Sequence, residues 1–128
     1  MTRKTDTMTE TTLETILLVE DEPAVRKLFA QALTHSGYAV YEARNGQEAM
    51  KLFEQHGETI DLLLTDMRMP YMGGLELAQH LRGQRNTLKL LCISGYPGSI
   101  TPDFTADFLA KPFSRDDLLK KVREILDK

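Results

Sequence analysis

This 128-residue chain predicts an α/β fold: a single, doubly wound, five-stranded parallel sheet in one domain. Three observations carry the prediction. Five short apolar runs of strand character recur along the chain, and most are followed by a segment with apolar residues at helical spacing. The runs are apolar enough to be covered on both faces, as in parallel sheets. Parallel neighbours also need crossover connections, and helical crossovers supply that cover.

The first twelve residues hold six threonines and four charged side chains with almost nothing to bury, which predicts a disordered leader or linker over 1–13 and a folded domain over 14–128. Ile16-Leu17-Leu18-Val19 is the first strand. Val25, Leu28, Phe29, Ala32 and Leu33 then share a helical face, with Pro23 suited to the first turn and Gly37 to the C-terminal cap. Tyr38 to Ala43 alternates as a second strand, and Asn45-Gly46-Gln47-Glu48 reads as a capping box opening a helix that buries Ala49, Leu52 and Phe53. Asp61 to Asp66 is the third strand. After a Pro/Gly-rich loop, Leu75, Leu77, Ala78 and Leu81 mark the third helix, and Leu88 to Ser94 is the fourth strand.

The next segment, Gly95-Tyr96-Pro97-Gly98-Ser99-Ile100-Thr101-Pro102, holds two glycines and two prolines. It leaves room for little more than one turn around 103–106, so the fourth helix is expected to be shortened or missing. Phe108-Leu109-Ala110 is a short fifth strand. Ser114-Arg115-Asp116-Asp117 repeats the capping logic, and Leu118, Leu119, Val122, Ile125 and Leu126 form the apolar stripe of the last helix.

Composition excludes several classes of function. With 16 basic against 19 acidic residues and a net charge of −3, no basic excess points to direct nucleic-acid binding. The apolar runs are too short for membrane insertion, and the N-terminus lacks the apolar core of a signal peptide. The single cysteine, Cys92, permits no intramolecular disulfide, which fits a cytoplasmic protein. Its place inside a strand predicts a buried apolar thiol. His35, His56 and His80 have no ligand spacing and are expected at the surface. Met67, Met69 and Met72 flank the loop after the third strand, where they can cover the core edge or pack against a partner helix.

In open α/β sheets ligands bind at the carboxyl ends of the strands. The residues there are Glu20 and Asp21 after the first strand, Asp66 at the end of the third, Ser94 after the fourth and Lys111 after the fifth. Taken singly, each has a plain structural explanation: an acidic pair before a helix suits its N-terminus, and Asp66, Ser94 and Lys111 each adjoin a turn. Jointly they place three carboxylates, a hydroxyl and a lysine on one edge. Carboxylates so close together repel one another unless a cation or a proton intervenes. Mg²⁺ prefers such oxygen-only sites, while lysine and serine suit phosphoryl oxygens. An aspartate oxygen is a competent nucleophile for an acyl phosphate, so Asp66 reads as a phosphoryl acceptor.

Four segments in order, Ile-Leu-Leu-Val-Glu-Asp-Glu at 16–22, Asp-Met-Arg-Met-Pro at 66–70 with Gly74 following, Ile-Ser-Gly-Tyr at 93–96 and Phe-Leu-Ala-Lys-Pro-Phe at 108–113, resemble a response-regulator receiver domain of two-component phosphorelay signalling. The resemblance implies a flavodoxin-like (β/α)5 arrangement. It also implies that Asp66 is phosphorylated, that Glu20, Asp21, Asp66 and the backbone carbonyl of Arg68 hold Mg²⁺, and that Lys111 binds the phosphoryl group. By the same resemblance Ser94 is the switch hydroxyl and Phe108 the switch aromatic. The implied partners are a histidine kinase or a histidine phosphotransfer protein as donor and an unknown downstream protein as target, with no turnover of an external substrate.

The chain departs from the family pattern in its Glu20-Asp21 pair, where many receivers have two aspartates, in Arg68 beside the site mouth, and in the short segment between Ser94 and Lys111. That segment leaves dimerisation, and oligomeric state in general, open. The Thr-rich leader and the residues at 14–22 resemble receivers of hybrid kinases, although a free-standing regulator fits as well. Two other functional classes remain: a receiver-like interaction module that works without phosphorylation, and a haloacid-dehalogenase-like Mg²⁺-dependent phosphatase. The second would carry an aspartate two residues after its nucleophile, where this chain has Arg68.

Overall fold

The computed structural model describes residues 13–69, 71–95 and 107–128. Its elements run β1 (Thr15–Val19), α1 (Pro23–His35), β2 (Ala39–Ala43), α2 (Gly46–His56), β3 (Leu62–Asp66), α3 (Gly74–Gln84), β4 (Lys89–Ser94), β5 (Asp107–Ala110) and α4 (Arg115–Leu126). All strand pairs are parallel, in the order β2-β1-β3-β4-β5. The expected leader lies largely outside the described residues, and so does 96–106, where the sequence predicts a shortened or missing fourth helix. Four helices are found among the described residues, and α4 is the helix that follows β5.

Strand alternation divides the core in two. Leu17, Val19, Leu63, Leu90 and Cys92 point to one face, where they meet Ala49 and Phe53 of α2 and Leu77, Ala78 and Leu81 of α3. Ile16, Leu18, Leu62, Leu64, Leu91 and Ile93 point to the other and meet Ala30 and Leu33 of α1 and Leu118, Val122 and Ile125 of α4. Successive strand residues face opposite ways, so an uninterrupted apolar run is what a centrally placed strand requires. Each fully buried leucine or isoleucine contributes roughly 1.5–3 kcal/mol relative to exposure.

The helix ends follow local chemistry. Pro23 opens α1, and Gly37 takes φ +96° just beyond its C-terminus, a conformation that favours glycine. At α4 the capping box is complete: Ser114 accepts from the Asp117 backbone N–H at 3.0 Å, and Asp117 accepts from the Ser114 N–H at 3.1 Å. At α2 only half of the expected box forms. Asn45 accepts from the Glu48 N–H, but the Glu48 carboxylate accepts instead from the Arg44 backbone N–H and guanidinium. A nearby arginine offers charge-assisted bonds that a single cap N–H cannot match.

Candidate functional site

The carboxyl ends of β1, β3, β4 and β5 converge because the ladder aligns them. Asp66 pairs in register with Ile93, so Ser94 lies one step further along the neighbouring strand. The Met67 N–H donates to the Ile93 carbonyl at 2.9 Å, and the Lys111 N–H donates to the Ser94 carbonyl at 2.9 Å. These bonds carry the sheet pairing past the last strand residues and fix where Asp66, Ser94 and Lys111 emerge.

Asp66 is buried and held at both oxygens. Its Oδ1 accepts from the Arg68 backbone N–H at 3.0 Å, and its Oδ2 accepts from Lys111 Nζ at 3.0 Å. Burial pulls the Lys111 ammonium down, but the bond and charge of Asp66, with Glu20 and Glu22 adding, outweigh it and raise its pKa above the usual lysine value.

Glu20 is only 3% exposed. Its Oε2 accepts from the Glu22 N–H at 3.1 Å, whereas its buried Oε1 has no hydrogen-bond partner among the described residues. Burial pushes the Glu20 carboxyl up to about 7; the Glu22 N–H and Lys111 work against this, and Asp66 adds to it. Carboxylate oxygens of Glu20, Asp21 and Asp66 all lie within 4.8 Å of one another. An all-oxygen set of three carboxylates, with one buried oxygen left without a donor, fits a hard divalent cation such as Mg²⁺.

Glu20, Asp21, Asp66, Ser94 and Lys111, the strand-end residues expected from the sequence, therefore all lie on this edge. Ser94 is buried at the end of β4. Phe108 is half-buried, pairs in register with Cys92 and packs against the core face covered by α2 and α3. Met67, Met69 and Met72 cover the edge of that same core. Cys92 is fully buried, and burial pushes its thiol up to about 12. His56 stacks on Tyr41 with ring centroids 4.5 Å apart.

Two residues have roles at the site that the sequence alone does not disclose. Gly74, visible there only as part of a motif, opens α3 so close to β3 that a Cβ would run into the Asp66 carbonyl oxygen. Its N–H donates to the Met67 carbonyl at 3.1 Å, and only a residue without a side chain fits. Arg26 is buried beneath the acidic loop, with its guanidinium on the Glu20 carbonyl and on Glu42. Its sequence signal is a charged residue at the start of the buried row Arg26, Ala30, Leu33, where an amphipathic helix should be apolar.

Residues 16–123 match the family model described as the response regulator receiver domain. The sensor kinase CckA of Brucella abortus is 40% identical over 119 residues, covering 89% of this chain and 13% of that protein. The response regulator receiver protein CpdR of the same organism is 34% identical over 119 residues, covering 89% of this chain and 98% of that one. Among solved structures, the response regulator TrrA of Thermotoga maritima, in complex with Mg²⁺ and BeF, superposes with a TM-score of 0.79 and 33% identity, covering 88% of this chain and 99% of that one. The chain thus spans about an eighth of the sensor kinase it matches and nearly all of the small regulator.

Proposed function

Because this chain belongs to the response regulator receiver domain family of two-component signalling, we propose that it accepts a phosphoryl group on Asp66 from a phosphohistidine of a histidine kinase or histidine phosphotransfer protein, in a Mg²⁺-dependent reaction, and changes conformation to control a partner. The observation that carries the proposal is the pairing of a buried, doubly held Asp66 with a carboxylate cluster in which Glu20 Oε1 has no donor among the described residues.

In the transfer, an Asp66 oxygen forms the new O–P bond as the N–P bond of the phosphohistidine breaks. The bond's electron pair goes to the imidazole nitrogen, which takes up a proton. Lys111 orients the carboxylate beforehand and afterwards neutralises a phosphoryl oxygen; Ser94 donates a hydrogen bond to another. Glu20, Asp21, Asp66 and the Arg68 carbonyl would hold Mg²⁺, which supplies charge neutralisation on the phosphoryl oxygens. Phosphorylation adds charge where Lys111 and Ser94 can follow it. Phe108, on the strand that leads to Lys111, is the aromatic placed to repack.

The domain acts by its own phosphorylation state and turns over no external phosphoester. No described helix is long and apolar enough to cross a membrane, and a cytoplasmic location suits a kinase partner. The test is intact-mass analysis after incubating wild type and Asp66→Asn with acetyl phosphate and Mg²⁺. Wild type is expected to gain one phosphoryl group and the variant none; equal gain on both would overturn the assignment.

A further inference from the structure

Arg26 is only 8% exposed, yet it carries a charge that the phosphoryl chemistry does not use. Its Nη1 donates to the Glu20 carbonyl at 3.0 Å, and its Nε lies 3.3 Å from Glu42 Oε1 on β2. Glu42 is exposed, and an ion pair of this kind adds little to a helix–sheet contact that apolar packing already holds. What apolar packing cannot do is hold a carbonyl in one direction.

That carbonyl belongs to the peptide joining Glu20 to Asp21. The peptide is planar, so fixing its carbonyl limits the rotation that decides where the Asp21 side chain leaves the backbone. On the preceding side, the Glu20 N–H donates to the Ala43 carbonyl at 3.1 Å, and the Glu20 side chain accepts from the Glu22 N–H. The Arg26 N–H itself donates to the Glu22 carbonyl at 2.9 Å. The turn bearing two carboxylates of the cluster is thus gripped from β2 and from α1, and Arg26 supplies the bond at the peptide between them.

We propose that Arg26 is the positioning residue of the metal site: it locks the Glu20–Asp21 peptide so that both carboxylates face Asp66, while Glu42 holds the guanidinium in place. The proposal rests on Glu20, Asp21 and Asp66 being the Mg²⁺ site. Mutating outer partners of metal ligands weakens metal binding on the order of tenfold to a hundredfold, and that is the loss expected for Arg26→Ala. Arg26→Lys keeps the cation but offers a single nitrogen where Arg26 uses Nη1 on the carbonyl and Nε on Glu42, so it should rescue binding only in part. Glu42→Gln leaves the donor to Glu20 and should lose less than Arg26→Ala.

The experiment is a titration of the ¹⁵N-labelled, metal-free full chain with Mg²⁺ alone, followed by amide resonances, with thermal melts in chelator. Support is a weakened Mg²⁺ Kd in folded Arg26→Ala, with metal-free shift changes centred on Asp21 and Glu22. A lowered melting temperature with a wild-type Kd would mean a structural role only and would overturn the proposal. Should Arg26→Ala not fold, Arg26→Lys decides between the same two outcomes: a weakened Kd supports the proposal and a wild-type Kd overturns it. Absence of Mg²⁺ binding in wild type would instead sink the metal-site assignment itself, and the proposal with it.

Discussion

The two ends of the sheet are both rich in charge, but they treat it differently. At the amino ends of the strands, Arg85 donates to the Gly57 and Ile60 carbonyls, Arg82 to the Leu88 carbonyl at 3.0 Å, and Lys89 to the Leu126 and Lys128 carbonyls at 3.0 Å each. Asp61 accepts from the Thr15 N–H at 2.8 Å, and Arg123 bonds Glu14, Asp127 and Tyr38. Arg85 Nε has no partner among the described residues, but its guanidinium already donates twice. At the carboxyl ends, three carboxylates gather beside one lysine, and a buried Glu20 oxygen accepts from none of the described residues. At the amino ends the cations engage backbone carbonyls and opposite charges and tie the fold together; at the carboxyl ends like charges converge on one another, which marks where a ligand belongs.

The sharpest way to test that contrast is Glu20→Gln. In the metal-free protein, the Glu20 pKa is raised from 4.5 to about 7, so the folded state holds a proton that the unfolded state has lost between those pH values. Stability from this group therefore falls as pH rises from about 4.5 through about 7 and then levels off. At about 1.4 kcal/mol for each tenfold change in proton affinity, the penalty is on the order of 3 kcal/mol at full deprotonation. Glu20→Gln should remove that slope in chelator and abolish stabilisation by Mg²⁺, as read from denaturant melts across pH. An unchanged slope would remove the basis for treating this edge as uncompensated.

A smaller but more local effect is expected from Gly74→Ala. Its new methyl must displace the Asp66 backbone or the start of α3, at a cost of about 2 kcal/mol. The same shift should slow phosphorylation by acetyl phosphate at saturating Mg²⁺. Normal kinetics in this variant would show that the Asp66 position tolerates movement.

The opposite edge should respond in stability alone. Arg85→Ala removes the donors to two carbonyls and should cost about 1–2 kcal/mol by denaturant melt. Its Mg²⁺ affinity and phosphorylation rate should match wild type. A loss of either would erase the division between the two edges.

Much of this division can be read along the chain. Glu20, Asp21, Asp66, Ser94 and Lys111 each end or follow an apolar run, and parallel pairing puts such positions on one edge. Ser114 and Asp117 cap α4 as local spacing predicts, because both partners lie within one turn. Asn45 and Glu48 do not complete their box, because Arg44 competes for the same carboxylate. Gly74 stands in the sequence only as part of a motif until β3 is placed against α3, and Arg26 only as a charge on an otherwise apolar helix face until β2 lies beside α1.

By itself, then, the sequence determined the alternation of strands and helices, the faces they bury and the acidic and basic residues at the strand ends, since these depend on periodicity and local bonding. Tertiary structure alone decided the unpartnered Glu20 oxygen, the close approach of Gly74 to Asp66 and the grip of Arg26 on the acidic turn, all within the strand order β2-β1-β3-β4-β5. Those features depend on which distant segments share a boundary, and burial and directed hydrogen bonds are set only once those segments meet.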